Sequence, residues 1–223
     1  GTHFALSDGT SKAAVKYTRN QYEEFKTAIK SIRKAGIEPG ICHCSNSAAT
    51  LNNPEYHMDM VRPGIICYGY YADEVSKEFL ESRKIKIDLK PVMTVETSVC
   101  AIRPFAQGKS VGYGCTWTAQ EDTDIAVLPV GYEDGWFRRF SKEGIKVSIN
   151  GKGYPVRGRI CMDQCMIELG KDHKVKRWDK AVLFGCKEDG ALQTADDIAR
   201  ITGTIPYEIT CGISKRVPRI YVD

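Results

Sequence analysis

The chain has 223 residues, 42% of them hydrophobic and 27% charged, with a formal net charge of +4. That length can bury a core in one or two domains, and no apolar run approaches the ~20 residues that span a bilayer. Basic and acidic residues are interleaved, as in Lys187-Glu188-Asp189, so nucleic acid is not an indicated partner.

Cysteine usage points the same way. Nine cysteines, an odd number without regular spacing, argue against a disulfide framework and for the thiols of a reducing cytoplasm. The start, Gly1-Thr2-His3-Phe4, lacks the basic and apolar regions of a signal peptide. Cys42-His43-Cys44 could hold a metal. In a strand, however, the two cysteines face one way and the histidine the other, so we expect buried thiols and no metal.

Residues 20–35 predict an amphipathic helix, with Tyr22, Phe25, Ile29 and Ile32 on one face, Asn20 as N-cap and Gly36 at the C-terminal end. Gly40-Ile41-Cys42-His43-Cys44 reads as a strand. A small-residue turn follows, opening a short helix at Ser47-Ala48-Ala49. Met58–Met60 and Ile65–Tyr68 read as further strands on either side of Arg62-Pro63-Gly64. This alternation suggests βα units and a parallel sheet. The character changes near residues 83–88. Val92, Val95, Val99 and Ile102 lie in a β-rich stretch, and Ile125–Val130 is a compact apolar strand. Val147-Ser148-Ile149 runs into Asn150-Gly151, a hairpin signal because both turn positions favour positive φ. A strand is read through Gly158-Arg159-Ile160 and another at Val182–Phe184. One helix follows, with Thr194 as cap, Asp197 three residues on, and Ile198 and Ile201 inward. We therefore expect an α/β unit over residues 1–85 and a mostly β unit over 86–223.

Several positions have two readings. Asn46-Ser47, between strand and helix, is a helix cap or an anion site, since N–H groups at a helix start and a hydroxyl both suit phosphate. Arg62 at a strand end, read alone, is an ordinary surface arginine. Tyr113, between Gly112 and Gly114, is a turn tyrosine or a reactive phenol.

Four segments decide between these readings. Val111-Gly112-Tyr113-Gly114, Arg157-Gly158-Arg159-Ile160-Cys161-Met162-Asp163-Gln164, His43-Cys44-Ser45-Asn46-Ser47 and Arg62-Pro63-Gly64-Ile65 together resemble the C-terminal part of an alanine racemase. The resemblance runs from Thr2-His3-Phe4-Ala5 to Arg216-Val217-Pro218-Arg219, with its motifs in order. It implies the last units of a (β/α)8 barrel that binds pyridoxal 5'-phosphate (PLP), followed by a β-rich domain. It also implies a head-to-tail homodimer in which Tyr113, Tyr132 and Met162 enter the partner's site.

The resemblance assigns roles residue by residue. Asn46, Ser47, the amides of Gly64 and Ile65, and Tyr207 match the cofactor-phosphate site. Arg62 matches the arginine that faces the pyridine nitrogen. Arginine only donates and stays charged, so the nitrogen it faces must stay unprotonated. That weakens the ring as an electron sink and favours return of the proton to the substrate Cα. Tyr113 matches the base acting on L-alanine, and His3 the histidine that links it to Arg62. The Met162 N–H, with Asp163 beside it, matches the substrate-carboxylate site, and Tyr132 a tyrosine at its entry. Asp8, Arg138 and Arg159 match charged residues along an entry corridor.

No segment matches the neighbourhood of the family's PLP lysine, so this chain is expected to be inactive alone. The implied reaction supplies D-alanine for bacterial peptidoglycan. Alternatives are a serine racemase of the vancomycin-resistance type, which has membrane segments upstream and can carry asparagine where Tyr207 stands, and a non-catalytic PLP-binding or dimerisation fragment.

Overall fold

The computed structural model describes residues 1–142 and 144–222. The chain forms two compact units, Gly1–Lys90 and the residues from Pro91 onward.

In the first unit the long helix α1 spans Lys12–Lys34. It starts well before the expected Asn20, because Ser11 is its cap and accepts a hydrogen bond from the Ala14 N–H. Ala14 and Thr18 extend the buried stripe backward by two turns, which propensity at Asn20 could not reveal. The C-terminal end is as expected, with Gly36 at φ +76° just past the cap Ala35. Tyr22 and Phe25 pack on a core of Phe4, Cys44, Ala49 and Tyr56. The Tyr56 ring lies 4.5 Å from Tyr22 and 5.4 Å from Phe4.

The expected strands of this unit shrink. Gly40–Cys44 and Met58–Met60 meet in one parallel bridge, His43 to Met60, and no parallel sheet forms among the described residues. Cys42 and Cys44 are nonetheless buried and His43 only half-buried, the alternation an extended segment requires. Helix α2, Ser47–Asn52, forms where expected. Ile65–Tyr68 is a 3-10 turn and not a strand. Only Ile65 of its four residues is buried, and Gly69 closes the turn at φ +82°. A short helix α3, Lys77–Ser82, is capped by Ser76.

The described residues of the second unit form nine strands: β1 Val95–Ser98, β2 Ala101–Phe105, β3 Ser110–Val111, β4 Trp117–Thr118, β5 Thr123–Leu128, β6 Lys146–Ile149, β7 Lys152–Arg157, β8 Cys165–Glu168 and β9 Lys180–Phe184. Seven form one antiparallel sheet in the order β1-β9-β6-β7-β8-β5-β2, and β3 pairs with β4. The β6–β7 hairpin turns at Asn150-Gly151, at φ +52° and +75°, as the sequence predicts. Strand β7 pairs with β6 over residues 152–155 and with β8 over 156–157, joining the two halves of the sheet. The strand expected through Gly158–Ile160 ends instead at Arg157. The Gly158 Cα approaches the Val111 carbonyl so closely that a Cβ would sit 2.6 Å from it, and the chain turns away there.

Helices α4, Ala195–Thr202, and α5, Pro206–Cys211, follow β9. Thr194 and Asp197 form the expected reciprocal cap of α4. Trp136 and Phe140, fully buried and 4.9 Å apart edge to face, anchor the core with Ile149, Ile167, Leu183 and Ile198. Burial of a side chain of that size contributes ~1.5–3 kcal/mol. No described helix is long and apolar enough to cross a membrane.

Candidate functional site

Arg62 organises the candidate residues of the first unit. Its N–H bonds the Ser45 carbonyl at 2.9 Å, fixing the backbone where the chain leaves the parallel bridge. The guanidinium then donates from Nη2 to the Thr2 carbonyl (2.9 Å) and towards His3 Nδ1 (3.3 Å), and from Nη1 to His43 Nδ1. Because arginine has no acceptor, both imidazoles must accept at Nδ1, which leaves Nε2 to carry the ring proton. Burial, then the Arg62 charge, holds the His43 pKa below the usual histidine range. The expected His3–Arg62 pair is therefore formed. His43 is a partner that sequence reasoning missed, since its alternation with Cys42 and Cys44 showed which way it faced but not what it met.

Ser47 and Gly64 converge beside this group. The Ser47 hydroxyl, buried at the start of α2, accepts the Gly64 N–H at 2.8 Å. Ile65 opens the 3-10 turn, where first-turn donors lack internal partners. The Asn46 side chain is engaged structurally: its Oδ1 accepts from the Ala49 N–H at 3.1 Å and from Ser7 Oγ at 2.8 Å. No carboxylate bonds Ser47, Gly64 or Arg62 among the described residues. A hydroxyl, main-chain N–H groups and a fixed guanidinium fit a phosphate ester whose aromatic ring carries an accepting nitrogen.

In the second unit, Tyr113 opens a 3-10 turn between Gly112 (φ +79°) and Gly114 (φ +74°), with its side chain 68% exposed. The turn packs against Arg159: a Cβ at Gly114 would lie 2.9 Å from its Nη1. Tyr132 and Met162 are held together through their backbones. The Tyr132 N–H bonds the Cys161 carbonyl (3.0 Å) and the Glu133 N–H bonds the Met162 carbonyl (3.1 Å). Gly131 permits this approach, since a Cβ there would fall 2.3 Å from both carbonyl oxygens. The Met162 N–H has no hydrogen bond among the described residues, and its side chain is exposed. Tyr207 lies in the first turn of α5, 39% exposed.

Asp163 is tied to Arg216, which also bonds Asp134 at 2.7 Å. The paired carboxylates, Asp134 first, push the Arg216 pKa up. Asp134 is buried and accepts the Gly131 N–H at 2.8 Å. Asp134 and Arg216 thus clamp the turns that carry Tyr132 and Met162. Sequence reasoning assigned them no role. The one available signal was Asp134 three residues after Gly131, a capping-box spacing. Asp8, Arg138 and Arg159 fall in both units: Asp8 in the first, the arginines in the second.

Residues 92–221 match the family model "Alanine racemase, C-terminal domain" and residues 1–72 match "Alanine racemase, N-terminal domain". The alanine racemase of Treponema denticola is 50% identical over 224 residues, covering 100% of this chain and 57% of that protein. That of Clostridium tetani is 42% identical over 99% of this chain and 54% of its own length. Among solved structures, alanine racemase from Bacillus anthracis with bound L-Ala-P is similar at TM-score 0.85 and 33% identity, over 99% of this chain and 54% of that one. Alanine racemase of Clostridium difficile in complex with cycloserine is similar at TM-score 0.83 and 38% identity, over 96% and 53%. The chain spans little more than half the length of the relatives it matches.

Proposed function

The chain belongs to the alanine racemase family, and we propose that it forms the C-terminal part of a PLP-dependent enzyme that interconverts L- and D-alanine. The observation that carries this reading is the Arg62 guanidinium held between His3 and His43 beside the Ser47–Gly64 pair. In this reading the first unit completes a (β/α)8 barrel with chain that precedes it.

PLP, when bound, supplies the electron sink that acidifies the substrate's α-C–H bond. Ser47 Oγ–H and the Ile65 N–H would hold its phosphate, with the Gly64 N–H keeping Ser47 Oγ in place and Tyr207 contributing. Arg62 donates to the ring nitrogen and, having no proton to give up, keeps that nitrogen an acceptor. His3, with Nδ1 turned to Arg62, offers its Nε2 proton towards the Tyr113 oxygen and stabilises it as a phenolate. Tyr113 takes the α-proton of L-alanine, and a lysine outside this chain acts on the opposite face. The Met162 N–H binds the substrate carboxylate while Asp134 and Arg216 keep that turn in place. Tyr113, Tyr132 and Met162 serve the partner's barrel in a head-to-tail homodimer. Tyr207 narrows the pocket against a hydroxymethyl group and so favours alanine over serine. The thiols suit a reducing cytoplasm, where D-alanine enters peptidoglycan synthesis.

The test uses the full-length enzyme that contains this chain. Tyr113→Phe should lower racemisation ~10²–10⁴-fold, the usual cost of a positioned general base. Deuterium washout from Cα of L-alanine should fall with it, whereas washout from D-alanine should persist. Near wild-type washout from L-alanine would make Tyr113 a structural turn residue and overturn its role. Absence of alanine racemisation in the unaltered enzyme would overturn the reading as a whole.

A further inference from the structure

The six-residue helix α5 carries Tyr207 in its first turn and is poorly secured at that end. A helix this short does not hold itself together. Its cap residue, Ile205, offers no side-chain hydrogen bond to the first-turn N–H groups. Pro206, Ile209 and Thr210 are buried and fix which face turns inward, while Tyr207 and Glu208 lie off that face. Arg139 reaches the first turn from elsewhere in the chain. Its Nη2 donates to the Glu208 carboxylate at 2.6 Å, beside Tyr207, and Thr204 Oγ1–H donates to the same oxygen. The two donors, Thr204 first, hold the Glu208 carboxyl below the ordinary glutamate range. The base of this contact is firm. Arg139 sits in the 3-10 turn Arg138–Phe140, whose Phe140 is fully buried against Trp136. The guanidinium lies 5.3 Å from the centre of the Phe137 ring. That ring meets the other end of α5, where a Cβ at Gly212 would fall 2.5 Å from it. Arg139 Nε is buried, so the pair is screened less than one on an open surface.

We infer that Arg139 is a positioning residue for substrate choice: through Glu208 it fixes the first turn of α5, and with it the Tyr207 ring. The inference rests on the reading of Tyr207 given above, in which that ring narrows the pocket against a hydroxymethyl group. Arg139 touches neither substrate nor cofactor in this role. Its charge holds a backbone turn, so its effect falls on discrimination. A loosened turn lets the ring swing away and serine gains relative to alanine. Proton transfer at Cα belongs to Tyr113 and a lysine outside this chain, and is left alone. The effect is modest, because a partly exposed ion pair is worth about a fivefold factor at most.

The test uses the full-length enzyme that contains this chain, as Arg139→Met, Arg139→Lys, Tyr207→Asn and the Arg139→Met, Tyr207→Asn double variant. Two quantities are read: the ratio of kcat/KM for serine to that for alanine, and amide hydrogen exchange by mass spectrometry in peptides covering α4 and α5. Arg139→Met should speed exchange in α5 about threefold, leave α4 unchanged, and raise the serine-to-alanine ratio about threefold. Arg139→Lys keeps the charge and should restore most of both. With Asn at 207, Arg139→Met should leave the ratio where it stands, because the residue it acts through is gone. A merely structural arginine would instead speed exchange in both helices and lower turnover of both substrates alike. Unchanged α5 exchange in Arg139→Met would overturn the inference, as would a ratio that does not rise or that rises equally without Tyr207. If Tyr207→Asn alone leaves the ratio unchanged, the reading of Tyr207 fails and the inference falls with it. A failed tether leaves the Tyr207→Asn shift intact, so the two failures are distinguishable.

Discussion

Arg62 shows how much one residue's chemistry fixes. A planar donor-only group between two Nδ1 atoms sets the tautomer of both rings without further partners. The same scale governs close approach. Gly131 lets the turn bearing Tyr132 touch the main chain of Cys161 and Met162, where a methyl group would overlap two carbonyl oxygens at 2.3 Å. Backbone cannot swing aside as a flexible side chain can. Gly131→Ala should therefore destabilise the chain by ~1–3 kcal/mol. Gly151→Ala, in open space at φ +75°, should cost only the ~1–2 kcal/mol of a left-handed backbone. Urea unfolding midpoints compare them. If Gly131→Ala is as stable as the parent chain, the two turns can separate freely and the clamp is no constraint.

Among the elements, those with local punctuation were legible and those that depend on neighbours were not. Thr194 accepts the Asp197 N–H at 3.2 Å, and the Asp197 carboxylate accepts the Thr194 N–H at 2.9 Å, the reciprocal cap that their spacing announces. Thr194→Ala should cost ~1 kcal/mol, read as a lowered urea midpoint with unchanged slope. No shift would mean that tertiary packing alone holds α4. The Asn150-Gly151 hairpin was equally plain, and its setting adds a pH dependence. Asp179 accepts from the Lys176 N–H (2.8 Å) and from Asn150 Nδ2 (2.7 Å), bonds that hold its carboxyl below the ordinary aspartate range. A carboxyl depressed in the folded state contributes stability that is complete above its unfolded pKa of ~3.9 and is lost as pH falls through the folded value. Asp179→Asn should destabilise the chain at neutral pH and progressively less towards about pH 3. The same penalty at both pH values would show that these bonds do not respond to the charge. By contrast, Ile65–Tyr68 looked like a strand because it is short and apolar. It became a 3-10 turn because only one of its residues finds a buried place.

At the scale of the whole molecule, the chain comprises two compact units whose family counterparts belong to one enzyme. The first unit brings together Ser47, Gly64 and Arg62, donors that suit a phosphate ester, yet no segment resembles the neighbourhood expected of the family's PLP lysine. This chain, incubated with PLP and reduced with borohydride, should yield no single stoichiometric pyridoxyl-lysine by mass spectrometry. One such adduct accompanied by alanine racemisation would overturn that expectation.

The sequence by itself determined the motifs: Ser47 at a helix start, Arg62 before Pro63-Gly64, Tyr113 between glycines, and the Met162 turn. Each is encoded within a few residues, by caps, turn glycines and donor chemistry that act locally. It determined the β-rich character of the second unit for the same reason, because alternation and hairpin signals have short range. Tertiary structure alone decided that His43 shares Arg62 with His3. It also decided that Asp134 and Arg216, 82 residues apart, fasten the turns that carry Tyr132 and Met162. These contacts join segments far apart in the chain. No local periodicity records which distant side chains a fold will bring within hydrogen-bonding reach, so they exist only once the core has set the distances.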